Sequence, residues 1–291
     1  LALPTDTFTA SDLATHIPEI WGTKINEFYE SNLVAAPHFT DRSDELAGGG
    51  DILHTPSITE MSGSAKGAAT AVTLVSPTET SVDLTVATWI EVSFMIEDKE
   101  AAQVLRSYNT QERYAKKAAY SCAKSLDTAL VTLFNSFSQE VGTTTVALTD
   151  TVIREAIEKY TAGDAPIEDA AFFFAPKTIW SDIMGIDKFS LIQNTAGADP
   201  VTKGAVGMLY GIPVFSSTNI TKINANADFS GALASKDSIH FATGNLPGSA
   251  GNVRVQANYM PEYLSTLYTA DILYGVIENR DAAGIEIISA V

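Results

Sequence analysis

One cysteine, few basic residues and no long apolar run set the first limits on this 291-residue chain. The lone Cys122 excludes an internal disulfide framework and suits a reducing compartment. Lys and Arg number 18 against 35 Asp and Glu, a formal charge of −17. Such a balance repels nucleic acid at long range and argues against a sequence-reading DNA binder. No apolar stretch approaches the ~20 residues of a membrane span, so no membrane partner is expected. No basic-then-apolar leader precedes "LALPTDTF", and a start at Leu1 rather than Met implies that upstream residues were removed or omitted. Catalytic signatures are missing as well: there is no G-x-S-x-G, no H-E-x-x-H and no Walker loop. "GSAKGAA" at 63–69 carries Lys66 after too short a glycine spacing. His16, His38, His54 and His240 lack metal-ligand spacing and read as solvated or capping side chains. No metal, cofactor or enzymatic activity is expected. Trp21, Trp89 and Trp180 are scattered and read as core or interface anchors rather than base-stacking platforms.

What the chain does contain is ordered in an unusual way. The apolar fraction of 45% suffices for a globular core. Residues 1–50 form an acidic arm in which Asp6, Asp12, Glu19, Glu27, Glu30, Asp41, Asp44 and Glu45 face only Lys24 and Arg42. Ile20, Ile25 and Phe28 have helical spacing after a cap at Ser11, but Pro18 and Gly22 predict a broken helix. "AGGGD" at 47–51 is a hinge into 51–96, whose last part, "SVDLTVATWIEVSFMI", alternates with few faults. Val82, Leu84, Val86, Ile90, Val92, Phe94 and Ile96 share one face, which predicts a single strand roughly 50 Å long. "AVTLVS" pairs with it through "SPTET", giving a hairpin too long to bury itself, with a small-residue tip at "SGSAKGAAT".

Residues 97–137 hold neither Gly nor Pro and predict one helix of roughly 60 Å. At about 100° per residue, Val104, Tyr108, Ala115, Cys122, Leu126, Ala129 and Leu133 form its packing face. Cys122 on that face reads as a small buried hydrophobe. On the opposite side Lys99, Arg106, Arg113, Lys117 and Lys124 lie within roughly 20° of one line and span roughly 37 Å. Only Lys124, with Asp127 three residues on, has an acidic neighbour at helical pairing distance. From 149 the pattern turns to α/β alternation. A helix begins near Thr149 or Asp150, "AAFFFAP" is a buried strand, and "KTIWSDIMGI" is a short helix. Two polar loops are expected at 190–207 and 221–236. Between them "GMLYGIPVFSSTNI" places Gly211 and Pro213 at a turn before a strand. "SIHFATG" is a strand, and further strands are expected near 253–258, 264–278 and 284–289.

The order of these parts resembles the major capsid proteins of tailed bacteriophages, with the Hong Kong 97-like fold. The residues that carry the resemblance are "IPEIW" in the acidic arm, "GDILHTP" opening the hairpin, and the Gly-free "ERYAKKAAYSCAKSLD". They continue with "FFFAPKTI", "GMLYGIPVFSS" and the closing "LYTADILYGVIENRDAAGIEI". The resemblance implies an α+β fold with an N-terminal arm (1–50), an extended hairpin or E-loop (51–96) and a peripheral domain with a spine helix (97–148). An axial domain (149–252) follows, and C-terminal strands (253–291) complete both domains.

It also implies a structural protein, found in the virion capsid and assembled in the host cytoplasm. Pentamers and hexamers would build an icosahedral shell that encloses double-stranded DNA without reading its sequence. Portal, and scaffold or cement proteins, would be further partners. Some capsids of this type join a hairpin lysine to a neighbour's asparagine, which here points to Lys66 and Asn279. In the same fold the spine helix faces inward, so the stripe of Lys99, Arg106, Arg113, Lys117 and Lys124 would meet packaged DNA or the acidic arm. The arm is the better partner, because tight DNA binding by every subunit would hinder genome release. Two other readings stay open: an encapsulin-like compartment with protein cargo, and a soluble α+β enzyme with a site in 149–250.

Overall fold

A 14-residue strand organises much of the chain in the computed structural model, which describes residues 30–31, 33–58, 61–99, 110–186, 207–247 and 253–291. In chain order the strands are β1 (Thr40–Asp41), β2 (Ile52–Ile58), β3 (Glu79–Thr85), β4 (Thr88–Glu97), β5 (Glu140–Val141) and β6 (Ala170–Phe174). They continue as β7 (Met208–Leu209), β8 (Ile212–Ser216), β9 (Lys222–Ile223), β10 (Asp228–Ser235) and β11 (Ile239–Thr243). The last three are β12 (Arg254–Met260), β13 (Ser265–Glu278) and β14 (Gly284–Ala290). The helices are α1 (Thr110–Thr132) and α2 (Asp150–Ala162). The fold is mixed α+β. The broken arm helix, with Ser11, Ile20, Ile25 and Phe28, lies outside the described residues, as do His16, Trp21, Val104, Arg106, Tyr108 and 190–206 of the first polar loop.

The long strand β13 carries β4 along one side and β12 and β11 along the other, and β1 adds to β11, making a five-stranded sheet. A seven-stranded sheet runs β5-β14-β10-β6-β8-β7, with β9 beside β10. Two antiparallel pairs pass from one sheet into the other. Strand β10 leads into β11 while β13 leads into β14, with Ala234 opposite Gly284 in one sheet and Ile239 opposite Glu278 in the next. At the crossing, the N–H groups of Asn279 and Arg280 both donate to the Ser238 carbonyl.

Helix α1 buries Cys122, Leu126 and Leu130 against this junction, as its period requires. The Cys122 thiol lies against the Ala270 carbonyl at 3.6 Å, and burial pushes its pKa up. The helix is shorter at its end than expected. Leu133–Ser136 tighten into a 3-10 turn, Phe137 leaves helical geometry, and Glu97 belongs to β4. "KTIWSDIMGI" forms a π-helical turn at Thr178–Ile183 instead of an α-helix.

The predicted single strand over 81–96 is two. Strand β3 pairs with β2, whereas β4 pairs with β13, and the break falls at Val86-Ala87. Gly275 accounts for it: a Cβ there would sit 2.1 Å from the Thr85 carbonyl oxygen, so only glycine lets the chain pass over β13 at this point. The alternation survives the break. Leu84 and Val86 enter a small cluster with Leu46 and Ala242, and Ile90, Val92 and Phe94 pack on the main core. "AVTLVS" forms no strand; residues 61–78 are irregular and exposed throughout, because β2 reaches β3 from 52–58 instead.

The second polar loop is the larger correction. Residues 228–235 form β10, central in the seven-stranded sheet and almost wholly buried. Its Ser, Gly and Ala residues are poor strand formers, yet they make room for Phe172, Phe173 and Phe174 of β6. Downstream of α2, Tyr210 and Gly211 both take positive φ, 51° and 84°, as a two-residue hairpin turn demands. Strand β8 then runs parallel to β6. Gly275→Ala should lower the urea midpoint of the purified chain, by about 1–3 kcal/mol in stability. Gly48→Ala, with open space around its Cβ, serves as the control. Equal midpoints for the two variants would remove Gly275 as the cause of the break.

Candidate functional site

The exposed side of α1 and the chain that leads into β1 meet at a line of polar contacts. Lys117 places its ammonium 2.6 Å from the Glu30 carboxylate, both side chains being about two-fifths exposed. One turn on, the Tyr120 hydroxyl donates to the Ser31 carbonyl at 2.8 Å, leaving the Ser31 hydroxyl to donate to Tyr120 at 2.7 Å. Asp127 is fully buried, where it accepts the Ala35 N–H at 2.8 Å and the Asn219 carboxamide at 2.9 Å. Helical spacing offered Asp127 to Lys124; the buried N–H of Ala35 takes it instead, since an unpaired buried amide is costlier than a solvated ammonium.

Of the other stripe residues, Lys99, Arg113 and Lys124 are exposed, and Arg106 lies outside the described residues. Lys116, off the stripe, pairs with Glu112 at 2.7 Å along the helix. The contact to Glu30 was foreseeable from charge sign alone, but the dock of Ser31 and Ala35 was not, because nothing in their residue types announces it.

The hairpin presents the second surface. Ile58, Met61, Val72 and Leu74 are exposed, and His54 bonds Asp83 across the two strands at 2.7 Å. Lys66 lies exposed in the irregular loop, while the Asn279 carboxamide donates to the Asp237 carbonyl at 3.1 Å. No described contact brings Lys66 and Asn279 together within one chain. Trp89 and Trp180 are both mostly exposed, so neither anchors the core; the Trp89 indole N–H is held by Asp271 at 3.0 Å.

Of the histidines expected at the surface, His38 is half-buried and His240 is buried. His38 sits among Phe39, Phe173 and Phe215 and bonds the Ala234 carbonyl; burial lowers its pKa, and that hydrogen bond offsets part of the shift. His240 is buried with no hydrogen-bond partner for Nε2 among the described residues, and burial and then Arg42 lower its pKa. Beside the sheet junction, burial pushes the Glu278 carboxyl up to about 7, reinforced by a hydrogen bond with Asp281 and by its charge. Burial alone would raise Asp281, but the Ser138 hydroxyl and N–H bind its carboxylate and hold it low. A cleft of about 300 Å³ nearby is lined by Asp164, Asp169, Asp237, Asp281 and Arg280 around the main chain of 163–166.

No protein-family model matches this sequence, and no curated protein matches it. Among solved structures, one from Mycobacterium phage Che8 is similar with a TM-score of 0.79 at 17% identity, over 93% of this chain and 96% of that one. The capsid structure of cyanophage P-SCSP1u also reaches 0.79, at 13% identity over 99% and 97% of the two chains. The mature capsid of bacteriophage PhiM1 gives 0.74 at 11% identity, covering 93% and 91%. The chain has the phage-capsid fold. Within that fold, the hairpin region carries the exposed apolar side chains Ile52, Ile58, Met61, Val72 and Leu74.

Asp127→Ala should cost about 1–3 kcal/mol of subunit stability in urea unfolding, because two buried donors lose their acceptor. A loss below half a unit of kcal/mol, roughly the noise of a surface change, would mean that Ala35 and Asn219 find other partners. Neutral Glu278 contributes stability that is full below its unfolded pKa of about 4.5 and is lost as pH rises through about 7. Glu278→Gln should therefore gain on the wild type progressively from about pH 4.5 to 7 and then level off. A pH-independent difference would show that Glu278 titrates normally.

Proposed function

We propose that this chain is the major capsid protein of a tailed bacteriophage, assembling through copies of itself into an icosahedral shell around double-stranded DNA. The observation that carries this reading is the capsid fold, matched over nearly the full length of both chains. The exposed hairpin supports it, since neither of its faces finds enough partners within one subunit. In this reading β2, β3 and the loop between them are the E-loop, and α1 is the spine helix. The five-stranded sheet with α1 forms the peripheral domain, drawing on three stretches of chain, and the seven-stranded sheet the axial domain, drawing on two. Axial domains gather into pentamers and hexamers, and closed symmetry satisfies the heterologous contacts. The basic stripe of Lys99, Arg106, Arg113, Lys117 and Lys124 faces inward, with the acidic arm as its partner and DNA enclosed without sequence reading. Lys66 and Asn279 enter only as a covalent contact between copies. Portal, scaffold and cement proteins are further partners, and the virion capsid is the location after assembly in the host cytoplasm.

An encapsulin-like compartment is the second reading, since the same fold can enclose protein; nucleic acid recovered from nuclease-treated particles separates the two. A soluble enzyme using the acidic cleft is argued against by the fold match. Light scattering of the purified protein should report closed particles of very large mass. Lys117→Glu should lower particle yield even without DNA, and adding Glu30→Lys should restore part of it. A stable monomer from the wild type would sink the shell reading, whereas undiminished yield from Lys117→Glu would remove the arm contact from assembly.

A further inference from the structure

Two buried side-chain atoms among the described residues have no hydrogen-bond partner, Ser265 Oγ and His240 Nε2. Only the second belongs to a group that takes up a charge near neutral pH. His240 is 6% exposed. Alternation along β11 sends Ile239 and Phe241 into the core under α1, so His240 and Ala242 lie on the opposite face. There the register sets His240 between Thr40 of β1 and Ile277 of β13.

Residues 40–46 run past His240 as a strap held by neutral hydrogen bonds. The Thr40 N–H donates to the Lys236 carbonyl at 3.2 Å and the Arg42 N–H to the Phe241 carbonyl at 2.8 Å. The Thr243 N–H donates to the Ser43 hydroxyl at 2.9 Å. Leu46 ends the strap by packing with Ala242, Leu84 and Val86.

Four charged groups act on the ring: Arg42 and Glu45 from the strap, Asp237 from the turn before β11, and Arg280 from the link after β13. Their carboxylates are already engaged. Arg42 holds Glu45 with two donors, Nη2 lying 2.9 Å from Oε2, and Asp237 accepts the Thr40 hydroxyl at 3.2 Å. From β13 the apolar Ile277 stands opposite the ring, while Glu278 alternates to the other face. A proton on Nε2 would thus meet two guanidinium groups and no free acceptor. His38 differs, because its ring bonds the Ala234 carbonyl and keeps that contact as a donor when charged.

We propose that His240 is an acid-operated latch for residues 40–46: its neutral ring lets the strap lie on β11, and its protonated ring releases β1 and Leu46 from the sheet. Opening lets water accept the new N–H and carries Arg42 away from the imidazolium, so both penalties of charging are relieved together. Burial and then Arg42 lower the pKa of the closed ring. The sign follows: closure is full above the ordinary value of about 6.5 and weakens as pH falls toward the lowered one. The latch is built into one chain and works whether or not copies assemble.

Hydrogen exchange read by mass spectrometry on the purified chain at pH 7.5 and 5.5, corrected for the intrinsic amide rate, tests this. Protection of a peptide covering 39–46 should fall about three- to tenfold at pH 5.5, tenfold being the limit for an open-state pKa of about 6.5. A peptide covering β10 should change less than twofold. His240→Gln, neutral at both pH values, should abolish the fall, whereas His38→Gln should leave it in place. Equal protection of 39–46 at both pH values in the wild type overturns the latch. So does a fall that survives in His240→Gln or disappears in His38→Gln. Should His240→Gln fail to fold, His240→Phe, equally unable to take up a proton, is read against the same criterion.

Discussion

The two sheets share one core because an aromatic seam crosses it. Phe39 stacks on Phe173 of β6 at 5.5 Å and meets Phe134, at the end of α1, at 6.0 Å. Each such ring is fully or almost fully buried and contributes on the order of 1.5–3 kcal/mol. Geometry at this seam is over-determined. Thr40 and Asp41 add to the five-stranded sheet beside β11, while the neighbouring His38 bonds the Ala234 carbonyl in the seven-stranded sheet. Ala35 is tied to α1 through Asp127, and Ser43 bonds Thr243. A stretch of about a dozen residues thus touches both sheets and the helix. With that strap in place, the paired crossings at Ser238 and Asn279 hold the sheets as one body.

Against this well-filled junction the hairpin is under-satisfied. Its strands β2 and β3 bond to each other, but among the described residues only Leu53, Leu84 and the neighbouring Val86 reach a core. The remainder carries exposed apolar side chains on a chain of net charge −17, which by itself keeps subunits apart. On the capsid reading proposed above, association has to come from shape and from local charge contrast. The pairing of Lys117 with Glu30 is one such contrast, worth little as a solvated pair in a single subunit. Its weight grows where water is excluded, because the effective dielectric falls.

Period and residue type made most elements legible. Leu84 and Val86 before the break, and Ile90, Val92 and Phe94 after it, kept their alternation although they pack on different clusters, because the side-chain period of two does not depend on which partner the backbone bonds. Cys122 and Leu126 marked the buried side of α1 for the same kind of reason, and Gly211 marked a turn that needs positive φ. Strand β10 escaped notice because Ser, Gly and Ala there serve neighbouring phenylalanines rather than their own propensity. His38 and His240 escaped because a histidine's burial is set by what surrounds it and not by its spacing along the chain.

The sequence by itself therefore determined the local periods, the order of hairpin, helix and strands, and the segregation of acidic arm from basic stripe. These follow from interactions within a few residues of each other. Only the tertiary structure decided where the long strand divides, since that depends on Gly275 meeting Thr85 nearly two hundred residues away. It also decided that Asp127 turns to Ala35 rather than to Lys124, because a buried amide from a distant segment outcompetes a solvated neighbour on the same helix.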